Sequence, residues 1–575
     1  LSNANKPKEI VGKILYADNT LKSDLTDGTY RAEKRSGGGS DGNAYTTIQA
    51  AISAMEAGDV LLLRGGTFQE RNIRLLRNGK SGNVLKGTPE KWFTVQSYPG
   101  EWAVVDGGHH EETIDGKLNV FSVFQQSGAG ERFPAYWRFA YFEVTGGGPA
   151  LVGPDGKART HADIQPIGGN GFFLWPGRHI VFDHLYVHGN YGGSGPNGGA
   201  GIKIMNENGG AHDILVTHCR LRDNGWPGEK NQNLQNIVFF TDYAWGNFPE
   251  IDIARAAVRN EVRYCLLEDS AVGIKYKGTQ YLCLNHEGTD MTAKDAGDRL
   301  HHNIVRNCGR GLLFCQDFGQ AHNNIAVGCD VGIEIGSPPA TGYRELFHVA
   351  VYNNTTIDCK TNLVQWKGWS EKACNYLTPP FHPYFHAWNN IVVNAASEAS
   401  ADRAPLAILP TYTKPIEIDF KTVDLETTLF AGRSPEQPTI RAGSASYSVA
   451  DAMKAGWGKR LWTCPAAAAL FSGKQDAAAW KTRGDFVISA AAGDRPAVTV
   501  GNGGKGGDHP YLPRVRIPNY VGAVPSGKCS GAAWDPAKAD PDDAGWVDYV
   551  LGLEKLGATI RSPAKAWVSQ VKNGP

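Results

Sequence analysis

The chain has no apolar run that approaches the ~18 residues of a membrane span. It also has no net charge: 58 Lys and Arg balance 58 Asp and Glu. Bulk charge therefore gives no reason to expect nucleic acid or an anionic membrane as a partner. Charged residues are sparse at 20%, against roughly 25% in ordinary soluble domains. Ten cysteines form no CxxC pair and no Cys/His spacing of the zinc type. No GxxxxGKS or GxxxxGKT stretch occurs, which removes the phosphate-cradling loop of nucleotide enzymes. The first residues, LSNANKPKEI, contain no hydrophobic core of a signal. They read as a cytosolic start lacking Met, a mature end after signal removal, or an added remnant.

What is abundant is glycine, 70 residues of 575, together with 15 Trp and 21 Tyr. The middle of the chain repeats. Short strands recur as GFFLW (171–175), GIKIMNE (201–207), NIVFFTD (236–242), GIKYKGT (273–279), GLLFCQD (311–317), GIEIG (332–336) and NLVQWKG (362–368). Their starts are separated by 30, 35, 37, 38, 21 and 30 residues, so strands of fixed size are joined by turns of variable length. A second short strand precedes most of them and opens with His184, Cys219, Cys265, Asn303, Asn324, Asn354 or Asn390. This is the signature of a solenoid of β-coils in which each strand stacks on its own kind. The second and fourth positions of the first strands are apolar (Ile274 and Tyr276, Leu312 and Phe314, Ile333 and Ile335), and period two assigns them to the inside. The opening His, Cys or Asn residues then form an interior ladder, with the asparagines bonding along the axis. Cys308, Cys329 and Cys359 read as a second buried ladder, and Cys464 with Cys529 as a candidate disulfide.

The expected fold is thus all-β, a right-handed parallel β-helix with an N-terminal capping helix and a loop-rich C-terminal extension. Residues 1–44 read as an extension with the first strand, 45–400 as the β-helix, and 401–575 as closing coils and an extension packed on it. In YTTIQAAISAMEAGDVLLLRGGTFQE (45–70), an amphipathic helix precedes a Gly-Asp turn and a strand. Thr47, Ile48, Gln49, Ala50, Gly58, Asp59, Arg64, Gly66, Thr67 and Phe68 make this stretch resemble the N-terminal cap of secreted right-handed β-helix proteins. The resemblance covers roughly residues 14–400 and matches no single family. It implies a secreted or periplasmic protein, and many such proteins are polysaccharide lyases or glycoside hydrolases.

Third, fifth and seventh strand positions face outward and form columns. The third runs Lys203, Val238, Lys275, Leu313, Glu334; the fifth Met205, Phe240, Lys277, Cys315, Gly336; the seventh Glu207, Asp242, Thr279, Asp317. Adjacent coils lie about 4.8 Å apart, so Lys277 is placed between Phe240 and Cys315, diagonal to Asp242 and Asp317. Desolvation and its neighbour Lys275 would lower an ammonium's pKa and make Lys277 a base. β-Elimination of a uronate polymer needs such a base, plus cations to neutralise the carboxylate and enolate. Lys275, Arg299 and Arg310 fit the second role, and His301 or His302 could protonate the leaving oxygen. The competing structural reading makes the lysines an exposed ion-pair ladder with Asp242, Asp317 and Glu334, of small energetic worth.

Lys203, Glu207, Tyr243, Trp245 and Trp366 are candidate substrate contacts, the aromatic faces suiting sugar rings. The excursion 278–298 carries His286, Glu287, Asp290, Asp295 and Asp298, which could bind calcium or form a solvated acidic loop. No metal site is assigned. Calcium-dependent pectate lyases carry several aspartates on the coils before the lysine, where QNIVFF stands here; β-helix alginate and chondroitin lyases carry paired glutamates, where GIKYK stands. The rival enzyme is a glycoside hydrolase with paired carboxylates: Asp242 and Asp317 stand two coils, roughly 9.6 Å, apart, near the ~6.5–9.5 Å of inverting pairs. A third reading is a non-catalytic carbohydrate-binding β-helix. The expected partner is a polysaccharide, and the expected state a monomer.

Overall fold

The computed structural model describes residues 12–77, 83–110, 118–124, 133–160, 168–193, 198–205, 211–230, 233–240, 259–277, 298–315, 319–336, 349–367, 385–393, 404–410, 423–425, 428–442, 445–458, 461–464, 508–509, 512–516 and 545–561. It is a parallel β-helix. Most coils contribute one strand to each of three sheets, called I, II and III in their cyclic order around the coil. Contacts divide the chain into two units, one built mainly from residues 1–239 and one mainly from 240–552.

In the first unit, sheet II stacks Asn43–Tyr45, Ile14–Ala17, Val60–Leu63, Phe93–Ser97, Ala135–Ala140, Arg178–Asp183 and His212–Thr217. The helix Ile48–Ala54 packs on the first three of these strands through buried Ile48, Ala51 and Ile52. Thr47 caps it by accepting from the Ala50 amide at 3.1 Å, and the Glu70 carboxylate takes the Ile48 and Gln49 amides at 2.6 and 3.1 Å. Three orphan helical donors are thereby satisfied, as a buried helix end requires. The Gly-Asp turn read from the sequence is present: Gly58 has φ +102°, and Asp59 accepts from the Lys13 and Glu56 amides at 2.7 and 2.8 Å. Inside, rings stack coil upon coil, Phe121 on Phe172 at 4.6 Å and Phe93 on Trp137 at 4.4 Å.

In the second unit, sheet I stacks Val272–Lys277, Arg310–Cys315, Val331–Ile335, Thr361–Lys367, Leu406–Pro410 and Ile440–Ala442. Sheet II stacks Glu261–Arg263, Arg299–His301, Gln320–His322, Val349–Tyr352, Phe385–Trp388 and Val423–Asp424. Sheet III runs from Leu266–Glu268 to Leu461–Cys464, so coil strands continue well past residue 400.

The corner between sheets II and III is a two-residue turn. Its first residue is left-handed: φ is +55° at His302, +54° at Asn323, +52° at Asn353 and +54° at Asn389. Its second residue is the asparagine of the expected ladder. Asn303, Asn324 and Asn354 each receive the backbone amide of the residue one coil earlier at 3.0–3.2 Å. Asn324 and Asn354 also donate their amide nitrogens to Asn354 and Asn390 at 3.0 and 3.1 Å. These buried polar groups are thus paired along the axis, which makes the corner repeat from Asn303 to Asn390. Cys265 opens the second unit's ladder, donating its amide to Asn303. In the first unit Cys219 follows left-handed His218 and is fully buried as expected, but one coil earlier the ladder is one residue off. His184 takes the left-handed position at φ +51°, and fully buried Leu185 turns inward. Cys308, Cys329 and Cys359 are buried free thiols, as a packed ladder demands. Cys464's side chain and Cys529 lie outside the described residues.

Candidate active site

The strand Val272–Lys277 alternates as its pattern requires: Val272, Ile274 and Tyr276 are fully buried in the core, which turns Lys275 to the other face. Asn260 donates to the Tyr276 hydroxyl at 2.8 Å. Burial and the nearby Asp298 carboxylate push that phenol well above its usual range. Backbone pairing sets Lys275 beside Leu313 and Leu313 beside Glu334, while Lys277 lies beside Cys315. The third and fifth columns therefore have the expected register in this unit.

The column is not open to water. Lys275 is 7% exposed, Leu313 1% and Glu334 0%. This corrects the exposed-ladder reading for Lys275 and Glu334, and the low screening raises the weight of each charge. Arg310, at the start of its strand, donates from Nε to Glu334 Oε2 at 2.6 Å. Glu334 Oε1 has no hydrogen-bond partner among the described residues. Burial pushes the Glu334 carboxyl up, and Arg310 and then Lys275 partly offset the rise. Two cations thus face one carboxylate in a dry setting.

The other candidates separate. Arg299 stands on sheet II, where it pairs with Glu261 at 2.9 Å. His302 sits in the turn between sheets II and III, with its ring 5.1 Å from Trp546 of the helix Gly545–Gly552. Neither is on the sheet that carries Lys275. Lys203 belongs to the first unit, is 4% exposed and reaches the Gly198 carbonyl at 3.4 Å. Glu207, Asp242, Tyr243, Trp245 and Asp317 lie outside the described residues, as do the side chains of Lys277 and Trp366. Of the proposed calcium residues, Asp298 alone is described. It is fully buried and accepts the Asn260 amide at 2.5 Å, a structural task.

No protein-family model matches the chain, and no curated protein matches it. Solved structures similar to it include pectate lyase Pel9A, at 14% identity and TM-score 0.34, covering 67% of this chain and 76% of that one. A mannuronic acid specific polysaccharide family 6 lyase from human gut microbiota has 14% identity and TM-score 0.39, covering 72% and 85%. The GH136 lacto-N-biosidase from Eubacterium ramulus has 11% identity and TM-score 0.36, covering 75% and 67%. At such identities and scores, neither activities nor site residues carry over.

Sequence reasoning missed a second constellation, on the outward face of sheet II in the same unit. Glu261, 1% exposed, receives Arg263 Nη1 at 2.8 Å, Arg299 Nη2 at 2.9 Å and His301 Nε2 at 2.9 Å. Burial alone would raise this carboxyl, but His301 and the two arginines hold it well below the usual range. The rings of His301, His322 and Tyr352 stack in parallel, each 4.7 Å from the next. The signal was available: each stands two residues before a ladder asparagine. Among the described residues no helix is long and apolar enough to cross a membrane.

Proposed function

We propose that the chain is a carbohydrate-active enzyme that cleaves an acidic polysaccharide outside the cytoplasm by β-elimination. The observation that carries this reading is buried Lys275 and Glu334 with partly exposed Arg310 bonded to the carboxylate. Lys275 and Arg310 both act on one carboxylate on this face, and cations so placed would also attract a uronate carboxylate. The same cations then stabilise the enolate that forms when C5 loses its proton. Lys277 stands two residues along the strand from Lys275, about 7 Å in backbone distance, a spacing that strand alternation would put on the same face. As a neutral amine it takes the C5 proton, and the resulting ammonium returns that proton to the leaving glycosidic oxygen. Arg299 and His302, on other faces of the coil, have no part in this step.

One observation favours a second reading. Glu334 is a carboxyl pushed upward by burial, with one oxygen lacking a hydrogen-bond partner among the described residues. A glycosidase's general acid has that character. The deciding experiment is a screen of pectin, alginate, glycosaminoglycans and bacterial exopolysaccharides, with and without chelator. An ultraviolet-absorbing unsaturated product is expected. New reducing ends without absorbance would overturn elimination in favour of hydrolysis, and neither signal would leave binding alone.

A further inference from the structure

We infer that His301, His302 and His322 form a binding site for a divalent transition-metal ion of the zinc type, on the outward side of sheet II. The nitrogen atoms the three residues offer lie within 4.8 Å of one another. His301 and His302 are 8% and 2% exposed.

The hydrogen bonds assign the His301 tautomer. Glu261 accepts three charge-assisted bonds and is a carboxylate, so His301 Nε2 carries a proton and donates at 2.9 Å. The lone pair of His301 is therefore on Nδ1. That atom lies 2.7 Å from Nδ1 of His302, a separation that needs a proton or a cation between the two nitrogens. The His322 ring is held by Asn323, whose side-chain oxygen lies 2.9 Å from Nδ1. Metal-binding histidines are held in this way, one ring nitrogen tied to a carboxylate or amide oxygen and the other presented to the ion. Parallel stacking of the His301 and His322 rings fixes their planes. Zinc–nitrogen bonds of ~2.0–2.1 Å in tetrahedral geometry place ligand atoms roughly 3.3 Å apart.

Imidazole-only coordination suits zinc, cobalt, copper or nickel and disfavours calcium, which takes oxygen ligands. The bland alternative is a His302-to-His301 hydrogen bond with no ion. Two clusters in the first unit, His179 with His212 and Asp213, and Asp183 with His184 and His218, could also take an ion. Each of those would supply two imidazoles and a carboxylate, so the ligand set separates them from this site.

The test uses the full chain, stripped with a chelator and titrated with Co(II) and Zn(II). Visible ligand-field bands of Co(II) are expected, with a zinc X-ray absorption shell of three imidazoles. His322→Gln should lose one equivalent of metal, while His212→Gln should not lose that equivalent. Glu261→Gln should weaken the site roughly 10–100-fold. A zinc shell without three imidazoles overturns the site, and so does unchanged stoichiometry in a folded His322→Gln. If His322→Gln fails to fold, the wild-type absorption shell decides by itself.

Discussion

Arg310 Nε lies 2.6 Å from Glu334 Oε2, and this pair joins two neighbouring coils on the face that carries Lys275. Glu334 has no exposed surface, whereas the Arg310 side chain is 25% exposed. Removing the arginine strands a buried carboxylate. Arg310→Ala should cost roughly 2–4 kcal/mol in denaturant unfolding, below the upper range for such losses because the arginine is partly wet. Arg310→Lys should recover only part, since a point charge replaces the planar fork.

Glu334 also predicts a direction with pH. Its folded-state pKa is raised, so the folded state holds this proton more tightly than the unfolded chain. Its contribution to stability is therefore greatest below the unfolded value and fades as pH rises through the folded one. Glu334→Gln should flatten that limb of the stability profile. An unchanged profile would count against the buried-acid description.

Asp18 runs the opposite way. Burial would raise its carboxyl, but Arg35, Tyr30 and Thr20 hydrogen bonds hold it down to about 2. The stability it supplies is present above the unfolded value and lost as pH falls toward 2. Asp18→Asn should therefore be destabilised near neutrality and converge with the wild type in strong acid, as followed by circular dichroism.

For catalysis, Lys277→Ala should reduce turnover by ~10²–10⁴-fold, the usual weight of a general base. The melting temperature should barely change, since strand alternation assigns the lysine to the face away from the core. Full turnover in this variant would remove the lysine from the mechanism. Lys275→Ala should instead weaken both binding and turnover, because its charge acts on substrate and enolate alike.

The ladder offers a test of the fold itself. Asn354 is 1% exposed; it accepts from Asn324 and donates to the Ala321 carbonyl at 2.9 Å and to Asn390 at 3.1 Å. Asn354→Ala leaves several buried backbone and amide groups without partners, at ~1–3 kcal/mol each in the worst case. A loss of roughly 2–4 kcal/mol is expected by thermal unfolding, whereas Asn354→Asp should be little better because it cannot donate.

Much of this architecture was legible in the residues. Alternation named Ile274 and Tyr276 as inside and Lys275 as outside, because a strand's period of two leaves no third choice. Asparagines repeating at one place in each coil announced a ladder. His184 misled because adjacent turn positions look alike in sequence, while only one of them is left-handed. The sheet II cluster was overlooked because its members come from separate coils: Glu261, His301 and His322 meet only when three coils stack in register.

The sequence by itself therefore determined the coil, its inner and outer faces, and the column that pairs Lys275 with Leu313 and Glu334. Those follow from local periodicity, which short-range sterics and burial enforce. Tertiary structure alone decided that Lys275 and Glu334 are dry, that Arg310 joins them while Arg299 serves Glu261, and that His302 stands beside His301 and Trp546. Burial and charge pairing depend on which neighbours other coils and the C-terminal helix bring, and turns of variable length conceal that in a linear chain.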